Sequence, residues 1–436
     1  MRIGVVGCGY VFDHYMSTWG RHPRLELAGV ADIDRSRAEA VSAAYDLHIY
    51  ESNEALISDA TVDIVANFTS IESHYDVSKA ALMAGKHVYS EKPLCPSFDQ
   101  AKELVELAAE QGLALSCAPS NALSDSTQTM WKAIRDGAVG DVRIVYAEFD
   151  DNPIYLMSPE GWRSRTGAPW PYLHEYEQGC TYEHVGYHLT QLCSMFGPVE
   201  SVTAFSKRTL PDKTAERLDP PNTPDFSVGC LNFKSGVVAR VTCSIAAPLD
   251  HRVRVIGNKG VLSVDTYRDY RCPVRYERFG KLPLNARKAM SVRRSTLMQR
   301  LFGVGGRPLE LLRIPEPGST GGGAAGRLAV RQLPRRLKQR EVGQQDKAMG
   351  IAELADALEN DRPFFPSPEF TLHLTELTIA IQGAGESGAT HKMQTSFEPV
   401  APRPETLNSP IDYGAKAAPG LIDRLAAGLL DRLHKH

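Results

Sequence analysis

The chain has 436 residues, 42% hydrophobic and 23% charged, with a formal net charge of −3 at pH 7. That length exceeds one ordinary domain and predicts two or three, each with a sizeable core. The charge balance excludes a global pull toward nucleic acid or membrane, and no apolar run is long enough to span a bilayer. The eight cysteines are scattered without a Cys-x-x-Cys pair, which reads as reduced, buried thiols and not as disulfides or a zinc site. An apolar strand begins almost at Met1, leaving no room for a signal peptide, so the expected location is the cytoplasm.

Arg2 to Val6 is a short apolar strand, followed by Gly7-Cys8-Gly9-Tyr10-Val11-Phe12 and a helical stretch to about Trp19. A strand, a glycine turn and a helix in this order form a dinucleotide site. Gly7 permits the tight turn. Gly9 lets a pyrophosphate approach the backbone, and Tyr10 and Val11 lead into a helix N-terminus that attracts it. Phe12 replaces the third glycine of the fingerprint and widens the helix–strand contact. The next strand, Leu25 to Ala31, ends at Asp32, where an acidic residue binds a ribose hydroxyl and repels a 2′-phosphate. NAD is therefore the expected cofactor, with Arg35 and Arg37 close enough to admit NADP.

Strands at 48–50, 63–68, 87–89 and 114–117 then alternate with helices at 53–57, 75–85 and 98–111. This alternation predicts a doubly wound parallel sheet, a Rossmann domain over residues 1–120. The strand His87–Tyr89 ends in Ser90-Glu91-Lys92-Pro93. Chemistry in such sheets sits outside the carboxyl ends of the strands, which places the Lys92 ammonium toward whatever the glycine turn binds. Pro93 holds Lys92 extended.

Gly7-Cys8-Gly9, Asp32, Thr69 with His74, and the run Ala80 to Val88 leading into Glu91-Lys92-Pro93 together resemble the Gfo/Idh/MocA oxidoreductases. The resemblance implies that Lys92 is catalytic, that Glu91 contacts the nicotinamide ribose, and that Thr69 and His74 belong to the cofactor site. Thr69-Ser70 stands where members often have Thr-Pro.

A second domain is expected over residues 121–270 and 342–400. It is α+β, with a large, mainly antiparallel sheet built from strands 143–149, 200–206, 226–233, 237–245, 251–257 and 261–264. A long Pro/Gly-punctuated connection, 152–171, carries Trp162-Arg163, and the resemblance makes Arg163 a cofactor contact. A helix opening at Gly179 holds Glu183-His184-Val185-Gly186-Tyr187-His188, and the i, i+4 spacing puts His184 and His188 on one face. Three readings compete: a zinc pair lacking a third ligand, two structural histidines, and acid–base chemistry. The resemblance favours the third. The family's Asp-x-x-x-His matches His188, with His184 at the aspartate position, Glu183 just before it and Tyr187 in support.

Residues 271–341 are basic and rich in Gly and Pro, and read as an insertion. The 401–436 tail ends in an amphipathic helix with Leu421, Ile422, Leu425, Leu429 and Leu433 on one side. These two segments allow peripheral membrane contact, and no nucleic-acid module accompanies them. The resemblance further implies a homo-oligomer through the second sheet and hydride transfer between NAD(P) and a carbinol of a polyol, sugar, cyclitol or sugar nucleotide. In that reaction Lys92, its pKa lowered by burial and by the oxidised nicotinamide, takes the hydroxyl proton. The alternatives are a redox-neutral glycoside hydrolase that uses NAD transiently and a non-catalytic NAD-binding protein.

Overall fold

The computed structural model describes residues 1–265, 269–279, 297, 307–312 and 345–413. Its first unit alternates β1 (Arg2–Val6), α1 (Phe12–Trp19), β2 (Glu26–Ala31), α2 (Arg35–Tyr45), α3 (Asn53–Ser58), β3 (Ile64–Asn67), α4 (Ile71–Met83), β4 (His87–Ser90), α5 (Phe98–Gln111) and β5 (Leu115–Cys117). The strands pair in parallel in the order β2-β1-β3-β4-β5. They are short apolar runs because helices cover both faces and leave no side for polar residues; all four residues of β3 are buried. The strand order reverses at β1, so the crevice at the β1/β3 switch point is the expected ligand site.

A helix, α6 (Asp125–Arg135), joins this unit to β6 (Val142–Asp150). The loop after β6 leads through α7 (Tyr172–Gln178), α8 (Cys180–His184) and α9 (Gly186–Phe196) into β7 (Val199–Lys207), β8 (Phe226–Phe233), β9 (Val238–Ser244), β10 (Val253–Gly257), β11 (Gly260–Val264), β12 (Arg275–Arg278) and β13 (Arg307–Pro308). With β14 (Ala389–Lys392) these make a nine-stranded sheet of described residues, ordered β13-β12-β11-β10-β6-β9-β8-β7-β14. It is antiparallel except for β6 against β9. Alternate residues of its strands bury against the helices in a core that holds Phe149, Val202, Leu231, Val241 and Val255 with Leu189, Leu192 and Leu377.

The structure departs from the sequence reading in three places. The expected strand at 48–50 is reduced to a single bridge, Ile49 against Val30, at the sheet edge. Residues 275–278, placed by composition in the insertion, pair with β11 and widen the sheet. The helix after the basic segment, α10 (Met349–Glu359), packs not on the second sheet but on the first unit. There Ile351, Leu354 and Ala355 join Ile3, Val5, Phe12 and Tyr15 in one buried cluster. Gly350 makes this approach possible, since a Cβ there would stand 2.2 Å from the Tyr89 hydroxyl of β4. The following helix, α11 (Pro368–Gln382), packs back on the second sheet, burying Phe370, Leu377 and Ile381.

All eight cysteines are free, and seven are buried. The amphipathic tail helix and most of the basic segment lie outside the described residues. Among the described residues no helix is long and apolar enough to cross a membrane.

Candidate active site

The glycine turn closes against the strand beyond it. Gly7 has φ +103°, and a Cβ there would stand 2.6 Å from the Phe68 carbonyl, so only glycine fits. A Cβ on Gly9 would meet only the Arg37 guanidinium, at 3.8 Å, which leaves its backbone open to a ligand. Helix α1 starts with Val11 as N-cap, and no side chain caps it. Its first-turn amides and the positive end of its dipole therefore face the turn beside Tyr10. Asp32 stands at the end of β2, accepting from the amides of Cys8 (2.7 Å) and Asp34 (2.8 Å). An open glycine, an uncapped helix start and a strand-end carboxylate are the parts a dinucleotide needs, and they fit one.

Thr69 and His74 take supporting places. Thr69 Oγ1 donates to Asn67 Oδ1 at 2.6 Å, closing the end of β3. His74 is buried within α4, its two ring nitrogens 2.7 Å and 3.1 Å from the carbonyls of Pro93 and Thr69. Burial pushes its pKa down. It braces the Lys92–Pro93 turn, whose peptide bond is cis, against the end of β3.

Arg163 is exposed and turns back on its own loop, 2.8 Å from the carbonyls of Glu160 and Trp162. The neighbours on that loop make the crossing. Thr166 donates through its amide (2.7 Å) and hydroxyl (2.9 Å) to Asp13 in the first turn of α1, and Arg165 lies over the Tyr45 ring. The 162–170 loop thus reaches the start of the helix behind the glycine turn.

The chemical centre lies where the end of β4 meets α8 and α9. Lys92 Nζ forms a half-buried ion pair with the Glu183 carboxylate. Burial is the largest single effect and disfavours the ammonium, but Glu183, Tyr187, Glu91 and Glu175 together outweigh it and hold Lys92 above its ordinary range. Partial burial acts downward, as the sequence reading expects, and the surrounding carboxylates and Tyr187 oppose it. Burial pushes Glu183 up despite the opposing Lys92 ammonium.

The two histidines share a side, as their spacing requires, but it is the packed side. His184 stacks on Phe149 at 5.2 Å and pairs with the buried Glu175, which overcomes desolvation and raises its pKa. His188 meets Phe149 edge-on and donates from Nε2 to the Glu148 carbonyl at 2.6 Å. Burial, with His251 beside it, lowers its pKa to about 3, so it is neutral. His188 therefore spends its Nε2 hydrogen on the Glu148 carbonyl and is uncharged. The i, i+4 pair with electrostatic reach to Lys92 sits one residue earlier, at Glu183 and Tyr187. Helical alternatives one residue apart are equally well spaced, and only packing against Phe149 separates them. Neither reading needs a zinc ion: the histidines have separate partners, and no group of three His, Cys, Asp or Glu among the described residues is placed to hold a metal.

Glu91 is buried and fully engaged. Oε1 accepts from the Tyr15 hydroxyl (2.9 Å) and the Lys347 ammonium (2.7 Å), and Oε2 from the Lys92 amide (3.0 Å). Burial alone would raise its pKa, but Lys347 and Lys92 hold it at about 2. Lys347 escaped the sequence reading. It stands 256 residues from Glu91, beyond a long basic stretch, and no local pattern marks it.

A dinucleotide crevice joined to a half-buried lysine–carboxylate pair under a mainly antiparallel sheet defines a two-domain, NAD-binding oxidoreductase. Residues 1–118 match the family model described as "Oxidoreductase family, NAD-binding Rossmann fold", and residues 127–263 match the "GFO/IDH/MocA C-terminal domain". These spans exceed half of the chain, which belongs to the Gfo/Idh/MocA oxidoreductase family. Among curated relatives, trans-1,2-dihydrobenzene-1,2-diol dehydrogenase of Bos taurus is 27% identical over 267 residues, 60% of this chain and 73% of the relative. The uncharacterized oxidoreductase YhhX of Escherichia coli is 28% identical over 216 residues, 49% of this chain and 56% of the relative. Two solved structures share the fold. The WlbA dehydrogenase of Bordetella pertussis, in complex with NADH and UDP-GlcNAcA, has TM-score 0.62 and 18% identity, with 91% of this chain and 98% of that one covered. The aldose-aldose oxidoreductase of Caulobacter crescentus, complexed with glycerol, has TM-score 0.64 and 20% identity, with 90% and 99% covered.

Proposed function

We propose that the protein is an NAD(P)-dependent dehydrogenase that oxidises, or in reverse forms, a carbinol carbon of a sugar, cyclitol or sugar nucleotide. The observation that carries this reading is the half-buried Lys92–Glu183 pair at the carboxyl end of β4, beside the dinucleotide crevice. The family supports the reaction class, and the vicinal diol in the bovine relative's name is a carbinol substrate.

Gly7, Gly9, Tyr10, Val11 and Asp32 are the residues to hold the dinucleotide, with Thr69 and His74 bracing its crevice. Bound nicotinamide supplies the hydride acceptor or donor. The protein's part is to bind the hydroxyl and take its proton. Lys92 Nζ contacts the hydroxyl oxygen. One ammonium proton passes first to Glu183, which frees the lone pair on the Lys92 nitrogen to accept the hydroxyl proton as the O–H bond breaks. The lysine remains charged and the carboxylate becomes a neutral acid. Burial, which favours a neutral Glu183, makes this transfer easier. Tyr187 orients the hydroxyl, and the second domain keeps bulk water from the pair.

A panel of polyols, sugars and sugar nucleotides, followed by nicotinamide absorbance, tests this. The expected result is a stoichiometric absorbance change with at least one carbinol. Substrate cleavage without net absorbance change would instead support a redox-neutral hydrolase. Clear NADH binding with no turnover across the panel would support a binding protein. In the same reading a second copy covers the open face of the nine-stranded sheet, where the register partners Ile144 and Val238 are both exposed.

A further inference from the structure

Lys347 lies beyond both family-matched spans, yet its ammonium reaches the centre of the site. Its mount is rigid. On one side Asp346 accepts from the buried His22 ring at 3.1 Å and lies 3.6 Å from the Arg21 guanidinium. On the other, the Ala348 amide donates to Thr18 Oγ1 at 3.4 Å and α10 begins. Both anchors are on or just after α1, so the returning chain is fixed to the helix that carries Tyr15. Lys347 Nζ then stands 2.7 Å from Glu91 Oε1 and 5.4 Å from the centre of the Tyr15 ring.

Two carboxylates flank Lys92: Glu183 across the crevice and Glu91 on its own strand end. Unneutralised, Glu91 would compete for the Lys92 ammonium and pull it away from the crevice. We infer that Lys347 is a positioning residue of this site: it neutralises Glu91, so that the Lys92 ammonium is left to Glu183 and to the substrate hydroxyl. The segment that returns after residue 344 thereby supplies part of the active site, and the two family-matched spans alone lack it. The inference rests on the reading of Lys92 as the group that faces the hydroxyl.

The groups around Lys92 give the sign of the effect. Glu183, Tyr187, Glu91 and Glu175 favour its charge, whereas burial opposes it. Lys347 is a like charge within reach, and it also feels Tyr187 and Glu91. His74, His184 and the buried Cys117 thiol also feel the Lys92 charge. Loss of Lys347 removes the like charge and unmasks Glu91, and both changes raise the Lys92 pKa. One pH unit is a tenfold drop in free amine at a fixed pH.

The test is competitive acetylation of the full chain with acetic anhydride at pH 9, with Lys92 labelling read by peptide mass spectrometry against the exposed Lys102. In Lys347→Met the labelling rate of Lys92 is expected to fall about tenfold, a shift of about one unit for one changed neighbouring charge. Lys347→Arg should retain the wild-type rate, and Glu91→Gln alone should raise it. Adding Glu91→Gln to Lys347→Met should restore the rate to near wild type. An unchanged rate in Lys347→Met, or a double variant as slow as the single, overturns the inference. If Lys347→Met fails to fold, shown by loss of NADH binding, then an unchanged rate in Glu91→Gln overturns it. The readout needs no substrate, so failure of the dehydrogenase reading in the carbinol panel leaves this result legible.

Discussion

At Lys92 two effects of similar size oppose each other. Taking an ammonium out of water costs several kcal/mol, and a carboxylate in contact returns about 4 kcal/mol at an effective dielectric near 20. Glu183 therefore has to be ionised for Lys92 to remain charged. Glu183→Gln is expected to lower turnover by about 10²- to 10⁴-fold, the usual worth of a positioned acid–base group, while NADH still binds. His188→Gln should cost stability through the lost Glu148 contact and leave the chemistry closer to intact; a larger loss of turnover than in Glu183→Gln would return His188 to the site. Glu91 gives a pH signature. Its folded pKa of about 2 lies below the unfolded value, so its stabilisation is present above about pH 5 and is lost as pH falls toward 2. That amounts to about 3 kcal/mol, and urea unfolding across this range should show a flatter pH dependence in Glu91→Gln. The Glu-Lys-Pro motif, the glycine turn and Asp32 were legible because each sits within a few residues of its partner strand. The partner of Lys92 was legible only to within one residue, since His184/His188 and Glu183/Tyr187 have the same spacing.

Elements decide that register. Phe149, on β6, takes the rings of both histidines, and rotating the helix to bring His188 to Lys92 would strip that packing and leave the Glu148 carbonyl unpaired. The sequence of α8 and α9 contains both faces, and the strand they rest on chooses between them. The glycine turn is stricter. Gly7→Ala meets the backbone of Phe68 and Thr69 at 2.6–2.7 Å in a left-handed conformation, and should cost about 1–3 kcal/mol of stability together with NADH affinity, both measurable by denaturant titration with and without NADH. The sequence reading assigns the residues of α10 to the second domain, and the structure places them on the first. The apolar face of α10 suits either domain, and what selects the first is the close fit of Gly350 over Tyr89. Ile351→Ala, fully buried beside Ile3 and Val5, is expected to cost about 2–5 kcal/mol. If Ile351→Ala is as stable as wild type, α10 is not part of the first core.

At the scale of the molecule, strand–helix alternation up to residue 117 and the succession of short strands from 200 to 264 made both sheets readable, because each depends on short-range periodicity. What joins the two units was not readable. The Lys92–Glu183, Glu91–Lys347 and Asp13–Thr166 contacts all span more than 90 residues, and no local signal fixes such pairings. The open face of the larger sheet predicts assembly: Val238→Glu should shift the protein to a smaller species by light scattering, and an unchanged mass would mean that this face does not hold copies together. The central proposal is that Lys92, paired with Glu183 at the crevice, handles the hydroxyl proton during hydride transfer. Lys92→Met, assayed by nicotinamide absorbance with a carbinol that the wild type turns over, tests it most directly. The expected result is NADH binding preserved and turnover lost by orders of magnitude; turnover at the wild-type rate would remove Lys92 from the reaction.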